Sequence, residues 1–356
     1  MTDKKTSGIS VEIKKLEHSE IEIIGEVPAE LFDKNRGEAI KNIGKNIELP
    51  GFRKGHVPES TLIKNIGENI IMEEMAEITI AKEYRNIIIE NKLDPIGRPE
   101  VGITKMAAGN PLGFTIKVAV MPEIEIGDYK KIAKEIYSEK EKVEATEKEI
   151  EDTIDEIRKS FAKQSASVKT TGEVKEEGEK KEPELPEFND DFVKNLGDFK
   201  DVADFKEKLK ENILLEKEKK ASDKKRLEML EKIISTSKID LPQIIIESEQ
   251  NKMLAQLKAD LEQMGAKFED YIKQIKKTEE EILGDFQKDA EKRAKIQLVL
   301  NKIGITEKIT TPQEKVDEQT EALIKQYPEA DKERIRIFVE TNLVNQNIFE
   351  FLEGQK

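Results

Sequence analysis

The residues best placed to do chemistry lie in one short run, Leu49-Pro50-Gly51-Phe52-Arg53-Lys54-Gly55-His56-Val57-Pro58, which no acidic residue interrupts. Gly51 and Gly55 permit sharp bends, while Pro50 and Pro58 limit the freedom of the unfolded chain. The pattern predicts an exposed tip presenting an apolar anchor, Phe52, beside two cations, Arg53 and Lys54. Such a tip suits recognition of a surface that mixes protein with nucleic-acid phosphate. The competing reading is an ordinary solvated turn with Phe52 tucked into the core, since Gly and Pro clusters are common turn punctuation. His56 offers a phosphate contact or pH-sensitive docking, although a tolerated polar residue is its commoner role.

Catalytic constellations are scarce. There is no Cys and there are two His, His18 and His56. Thiol catalysis and Cys-ligated metal sites are excluded, and a His-based triad or His-rich metal site has little to draw on. No phosphate-cradling loop, nucleophile elbow or dinucleotide fingerprint is present, which predicts neither ATP use nor a cofactor. Acidic clusters such as Glu176-Glu177 and Glu279-Glu280-Glu281 fit solvation and helix starts better than a metal site. No residue is predicted to be catalytic or to bind metal.

Composition points the same way. The 356 residues suggest two or three domains. Apolar residues make up 36% and charged residues 38%, with 5% aromatics and no Trp. A large buried pocket would have little to line it, whereas long exposed helices fit. No apolar run of membrane-spanning length occurs and the start has no signal-like segment, so a soluble cytoplasmic protein is expected. Residues 1–120 carry 17 basic and 19 acidic residues, net −2 of the chain's −14, so any polyanion contact belongs to this part.

The elements that must carry the loop follow from periodicity. Ile9, Val11 and Ile13, then Ile21 and Ile23, alternate with polar residues as a β-hairpin turning at His18-Ser19. Leu31, Phe32, Ile40, Ile43 and Ile47 predict a helix from Pro28 to Leu49, and a second helix is expected over about 68–91. Val101 and Ile103, then Phe114, Ile116, Val118 and Val120, predict two further strands. The order ββααββ describes an α+β domain. Residues 121–145 read as an extended connector. Thr146-x-x-Glu149 caps a short helix reaching Phe161, and residues 163–184 read as a flexible polar loop. From Phe188 on, the pattern is helical: a long helix over about 199–238, then helices opened by Pro242, Thr278, Thr311-Pro312 and Asp331, joined as antiparallel hairpins.

The run Gly-Phe-Arg-Lys-Gly-x-x-Pro over 51–58, set after a ββα unit and before a long helix, resembles the ribosome-docking signature of the trigger factor family, bacterial chaperones of nascent chains. Residues 185–197, Leu-Pro-Glu-Phe-Asn-Asp-Asp-Phe-Val-Lys-Asn-Leu-Gly, are similar to that family's entry into its helical domain, and Leu241-Pro242 to the start of its first arm. The resemblance implies a ribosome-binding α+β domain over 1–120 and a helical chaperone domain over 185–356 whose arms form an open cradle. It implies docking through Gly51, Phe52, Arg53, Lys54, Gly55 and Pro58 onto a ribosomal protein at the tunnel exit, with ribosomal RNA phosphate nearby. Nascent or unfolded polypeptides are the implied clients, a homodimer the implied free state, and no membrane is involved.

One departure stands out. Most members insert a peptidyl-prolyl isomerase domain of the FK506-binding type after the connector. Here residues 121–184 hold only the connector, a short helix and a loop, with 121–162 expected to pack on the helical domain. Too little chain remains there for a domain, so no enzyme activity is expected. Met253, Leu257, Met264 and Phe286 on arm-like helices, with Ile348 and Phe349 in the last helix, are candidate client contacts, because soft apolar side chains adapt to varied partners. The alternative is that they pack helix on helix. A rival function, an RNA-binding or ribosome-assembly factor using the 51–58 loop, is weakened by the net negative charge of residues 1–120.

Overall fold

Ile9, Val11, Ile21, Ile23 and Val27 form one apolar face of a hairpin in the computed structural model, which describes residues 4–6, 9–47, 56–138, 143–169 and 185–355. Strand β2 (Ile9–Lys15) pairs with β3 (Glu20–Val27), Ile13 lying opposite Ile23. With β1 (Lys4–Thr6), β4 (Pro95–Lys105) and β5 (Leu112–Val120) they build an antiparallel sheet in the order β1-β2-β3-β5-β4. Helices α1 (Ala29–Asp33), α2 (Arg36–Asn46), α3 (Glu59–Ile66) and α4 (Glu68–Asn91) follow β3 in the chain. Their apolar residues, Phe32, Ile43, Leu62, Ile71, Met75 and Ile87 among them, bury with Phe114 and Ile116 of the sheet in one core. This is the expected α+β module.

The chain divides into two compact units, Met1–Gly127 with Thr236–Lys308, and Asp128–Ser235 with Ile309–Lys356. In the first, a two-stranded ribbon of β6 (Ile124–Glu125) and β7 (Lys238–Ile239) leads into a hairpin of α9 (Gln243–Gln263) and α11 (Glu279–Glu307), with α10 (Phe268–Ile275) between them. Leu241, Ile246, Ala290, Ala294 and Leu298 fill the seam. Further along it, Gln250 donates to the Leu283 carbonyl at 2.7 Å and to Gln287 at 2.9 Å.

The second unit contains α5 (Tyr129–Ser138), α6 (Glu147–Lys169), α7 (Asp190–Leu196), nearly all of α8 (Val202–Thr236), α12 (Gln313–Gln326) and α13 (Lys332–Glu353). Phe161, Phe188, Phe192, Phe199 and Phe205 meet edge to face at 5.0–6.2 Å between ring centres, the arrangement aromatic quadrupoles favour. Five of the chain's 13 Phe are spent here. Val316, Val339 and Leu343 zip α12 to α13.

Several elements differ from the sequence reading, each for a physical reason. The helix expected from Pro28 to Leu49 breaks at Lys34-Asn35, where the Asn35 amide donates to the Leu31 carbonyl and to the buried Thr79 hydroxyl at 2.8 Å. Helix α3 is additional; Gly67, at φ 85°, separates it from α4. The connector over 121–145 contains β6 and α5, because a two-residue strand depends on a partner more than a hundred residues away that local periodicity cannot reveal. Helix α6 continues to Lys169, so 163–169 is helical, while 170–184 lies outside the described residues. The capping boxes at Thr146 and Thr278 both form. Thr311 does not cap: Pro312 holds that position, and the Thr311 hydroxyl accepts from Asn347 at 3.1 Å.

Candidate functional site

Gly51, Phe52, Arg53, Lys54 and Gly55 lie outside the described residues, whereas the segments that flank them, up to Ile47 and from His56, lie within them. On the near side Ile47 leaves α2 in extended conformation (φ −100°, ψ 136°). On the far side His56 is exposed, Val57 packs on the core, and Pro58 (φ −62°, ψ 143°) opens α3. Arg36, the first residue of α2, reaches both following helices: its guanidinium contacts Glu59 of α3 at 3.0 Å and forks onto both carboxylate oxygens of Glu68 at the start of α4. These bonds hold the Glu68 carboxyl below, and the Arg36 guanidinium above, their ordinary pKa values. Asn42 adds a bond from α2 to Glu74 of α4 at 3.1 Å. The loop thus springs from two helices locked to a third. Glu59, the first acid after the loop, is itself paired, so it does little to offset the loop's cations.

The other end of the sheet is tied down as well. His18 and Ser19 both adopt positive φ (60° and 50°) in the β2–β3 turn, which points successive backbone N–H groups outward. The Asp240 carboxylate accepts both, at 3.1 and 2.7 Å, and the Ser19 hydroxyl donates to the Asp240 carbonyl at 2.6 Å. Asp240 directly precedes Leu241-Pro242, the entry to α9. The hairpin turn and the base of the α9–α11 hairpin are therefore clamped together. His18 remains exposed, as its turn position predicts.

The proposed client contacts fall into distinct environments. Met253 packs against the α9–α11 seam, Leu257 and Phe286 are half-buried, and Met264, at the end of α9, is 81% exposed. Ile348 is wholly buried, as is Leu352, and serves packing in this conformation. Phe349 is half-buried with the Arg226 guanidinium 5.1 Å over its ring. Arg226 also bonds Glu353 at 2.6 Å, and burial beside that carboxylate pushes the Tyr137 hydroxyl up to about 12. Met264 is thus free for a partner, and Met253 is seam.

Exposed apolar residues that sequence reading missed include Leu215 (67%), Ile305 (76%), Ile337 (59%) and Phe338 (61%). A signal existed: Ile337 and Phe338 sit off the Val339/Leu343 stripe that zips α13 to α12, so their position in the helical period places them away from the seam. Among the described residues no group of three or more His, Asp or Glu side chains could hold a metal ion, and no helix is long and apolar enough to cross a membrane.

A small antiparallel α+β module whose braced helices flank a glycine-bounded basic run in the sequence, within a chain that is otherwise mainly helical, defines the class. Comparison with known proteins supplies the family. The model of the bacterial trigger factor protein matches residues 9–157 and that of its C-terminus residues 201–356, so the chain belongs to the trigger factor family of chaperones. It is 26% identical to the trigger factor of Halothermothrix orenii, covering 95% of this chain and 96% of that one, and 27% identical to that of Agathobacter rectalis, covering 91% and 89%. The alignment to the first runs over 422 positions, more than this chain possesses, so that relative carries residues without a counterpart here. A solved structure from work on promiscuous substrate recognition in folding and assembly by the trigger factor chaperone shares the fold: TM-score 0.56, 17% identity, 96% of this chain and 99% of that one.

Proposed function

We propose that this chain is an ATP-independent chaperone that docks at the ribosomal tunnel exit through the 51–58 loop and holds nascent polypeptides on its helical hairpins. One observation carries the reading: a chain matched at both ends by trigger factor models keeps the uninterrupted Gly51-Phe52-Arg53-Lys54-Gly55 run, with Pro58 opening α3, on helices that Arg36 braces together. Residues 1–120 serve as the docking module and 185–356, with 121–162, as the client-holding body, in the cytoplasm where ribosomes and nascent chains meet. Met264 is the foremost client contact, with Leu257 and Phe286 behind it and Phe349 in the second unit. The free protein pairs with itself. No isomerase is present: the two family matches leave only residues 158–200 between them, and a small domain needs about 50 residues of its own.

The test is cosedimentation of the full chain with ribosomes. Replacing Phe52, Arg53 and Lys54 together by Ala is expected to lower affinity by more than about 10²-fold, since truncating one such anchor costs about 2 kcal/mol. Binding should also weaken as salt rises. Unchanged cosedimentation of the folded triple variant would remove the docking assignment. Binding to ribosomal proteins freed of RNA is expected to persist; binding that is lost on RNase treatment and retained by naked ribosomal RNA would favour the RNA-binding alternative.

A further inference from the structure

Val101 and Ile103 stand directly opposite Ile116 and Phe114, on the core face of the sheet. Ile116 and Phe114 are wholly buried, yet Val101 and Ile103 are 52% and 42% exposed. The flank of α4 stops short of β4 and leaves a groove of about 470 Å³, walled by Ile80, Ala81 and Tyr84 of α4 and by Val101 and Ile103 of β4, with Ile116 at its floor. Strand β4 is also the outermost strand, with one edge unpaired among the described residues. Its first part is covered: a Cβ on Gly97 would come within 2.2 Å of the Ile244 side chain of α9. Register shifts at Ile96/Glu100 and Ile103/Lys105 bracket the remainder, so the regular stretch left open is Glu100–Ile103.

We propose that this open edge, with its groove, binds an extended segment of non-native polypeptide that adds to the sheet as a sixth strand beside β4. A strand edge offers alternating backbone donors and acceptors that only another extended backbone can match, and the groove takes every second side chain of the added strand. Charge narrows the occupant. Glu77 stands at the groove, with Glu73 one turn earlier on the same helix face, and the nearby cation Lys105 is already engaged by Glu26. The segment therefore alternates apolar residues and carries a Lys or Arg at the end that meets α4. A second copy pairing β4 on β4 would bring two such acidic rims together, which disfavours it. Bulges and Pro99 limit the open stretch to a few residues, so it grips short segments weakly and reversibly.

This inference rests on the chaperone reading above, and its test separates the two. The full-length chain is titrated with a fluorescent peptide of alternating valine and threonine ending in two lysines, alongside two versions N-methylated at alternate residues, one in each register. N-methylation keeps the side chains and removes the donors on one edge. The unmodified peptide should bind and slow hydrogen exchange at residues 100–104, and one methylated version should bind about tenfold more weakly or worse. Val101→Lys with Ile103→Lys should cut affinity by a similar factor. Glu77→Lys, at an exposed position that leaves packing intact, should weaken the lysine-tailed peptide and spare a serine-tailed one. Equal binding of both methylated versions, protection elsewhere, or unchanged affinity in the folded double variant would overturn the inference, as would loss of self-association in that variant without any peptide binding. Suppression of aggregation by the unsubstituted chain, measured in parallel, reports on the chaperone reading alone: its failure sinks that reading, while its success beside a silent β4 edge sinks only this one.

Discussion

At Gly25 one absent carbon decides whether the sheet can close. The residue lies opposite Phe114 in the β3–β5 ladder, and a Cβ there would sit 2.5 Å from the Phe114 ring. Phe114 is wholly buried among the core residues of the α+β module and has no room to withdraw. Overpacking of this kind forces side chains off their rotamers and costs about 1–3 kcal/mol. Gly25→Ala should accordingly lower the urea midpoint of the module without changing the slope of its transition. A midpoint equal to that of the parent chain would mean that the ring shifts freely, and that the core is looser than its burial implies. Arg36 and Asp240 act differently. Arg36 bonds acids on two helices and Asp240 accepts two N–H groups of one turn, so that each fixes where a loop or hairpin begins instead of filling space.

Pairs of elements are held by polar contacts whose strength depends on pH. Glu149, in the first turn of α6, takes the Lys217 ammonium of α8 at 2.5 Å and accepts from both the backbone and the hydroxyl of Thr146 at 2.9 Å. The Lys217 bond first, then the two from Thr146, bring its carboxyl from 4.5 down to about 2. A lowered folded-state value means that the contact is fully present above about pH 4.5 and is lost as pH falls toward 2. A carboxyl-carbon NMR titration should find the Glu149 midpoint far below those of ordinary glutamates, and Lys217→Ala should move it back up. An ordinary midpoint in the parent chain would show that α6 and α8 are not joined there. The Thr146 box was legible in the sequence because a cap is a local pattern, and the same holds for Thr278 and Asp331. The β6–β7 ribbon was not legible, since two residues carry no period and their partner lies far along the chain. The break at Asn35 depends on Thr79 of α4, and no window on residues 28–49 contains that partner. The basic loop stood out as a motif, but whether apolar helix residues face a seam or solvent was settled only by packing: Met253 and Met264 read alike in sequence and differ in the fold.

For the whole molecule, the proposed function turns on whether holding an unfolded chain needs a catalytic domain as well. Prolyl isomerisation crosses a barrier near 18–20 kcal/mol, and lowering it takes a shaped, water-excluding pocket. The two family matches leave 158–200 between them, and part of that range is already committed: α6 runs to Lys169, while Phe188 and Phe192 belong to the aromatic cluster that packs α6, α7 and α8. Holding a client needs less, namely apolar side chains spread over several elements, each weak and acting together. Met264, Leu215, Phe338 and the β4 edge meet that description, and the chain's −14 charge opposes non-specific aggregation. The pure protein should therefore delay aggregation of a denatured client at near-stoichiometric ratio without ATP, and leave the isomerisation rate of a proline test peptide at its uncatalysed value. Because the sites are weak and many, substituting Met264 by a polar residue should reduce the delay only partly, whereas Met264, Leu215 and Phe338 changed together should reduce it much further. Catalysed isomerisation by the purified chain would restore an active site to it, and failure to delay aggregation at several-fold excess would leave its exposed apolar surface without a client.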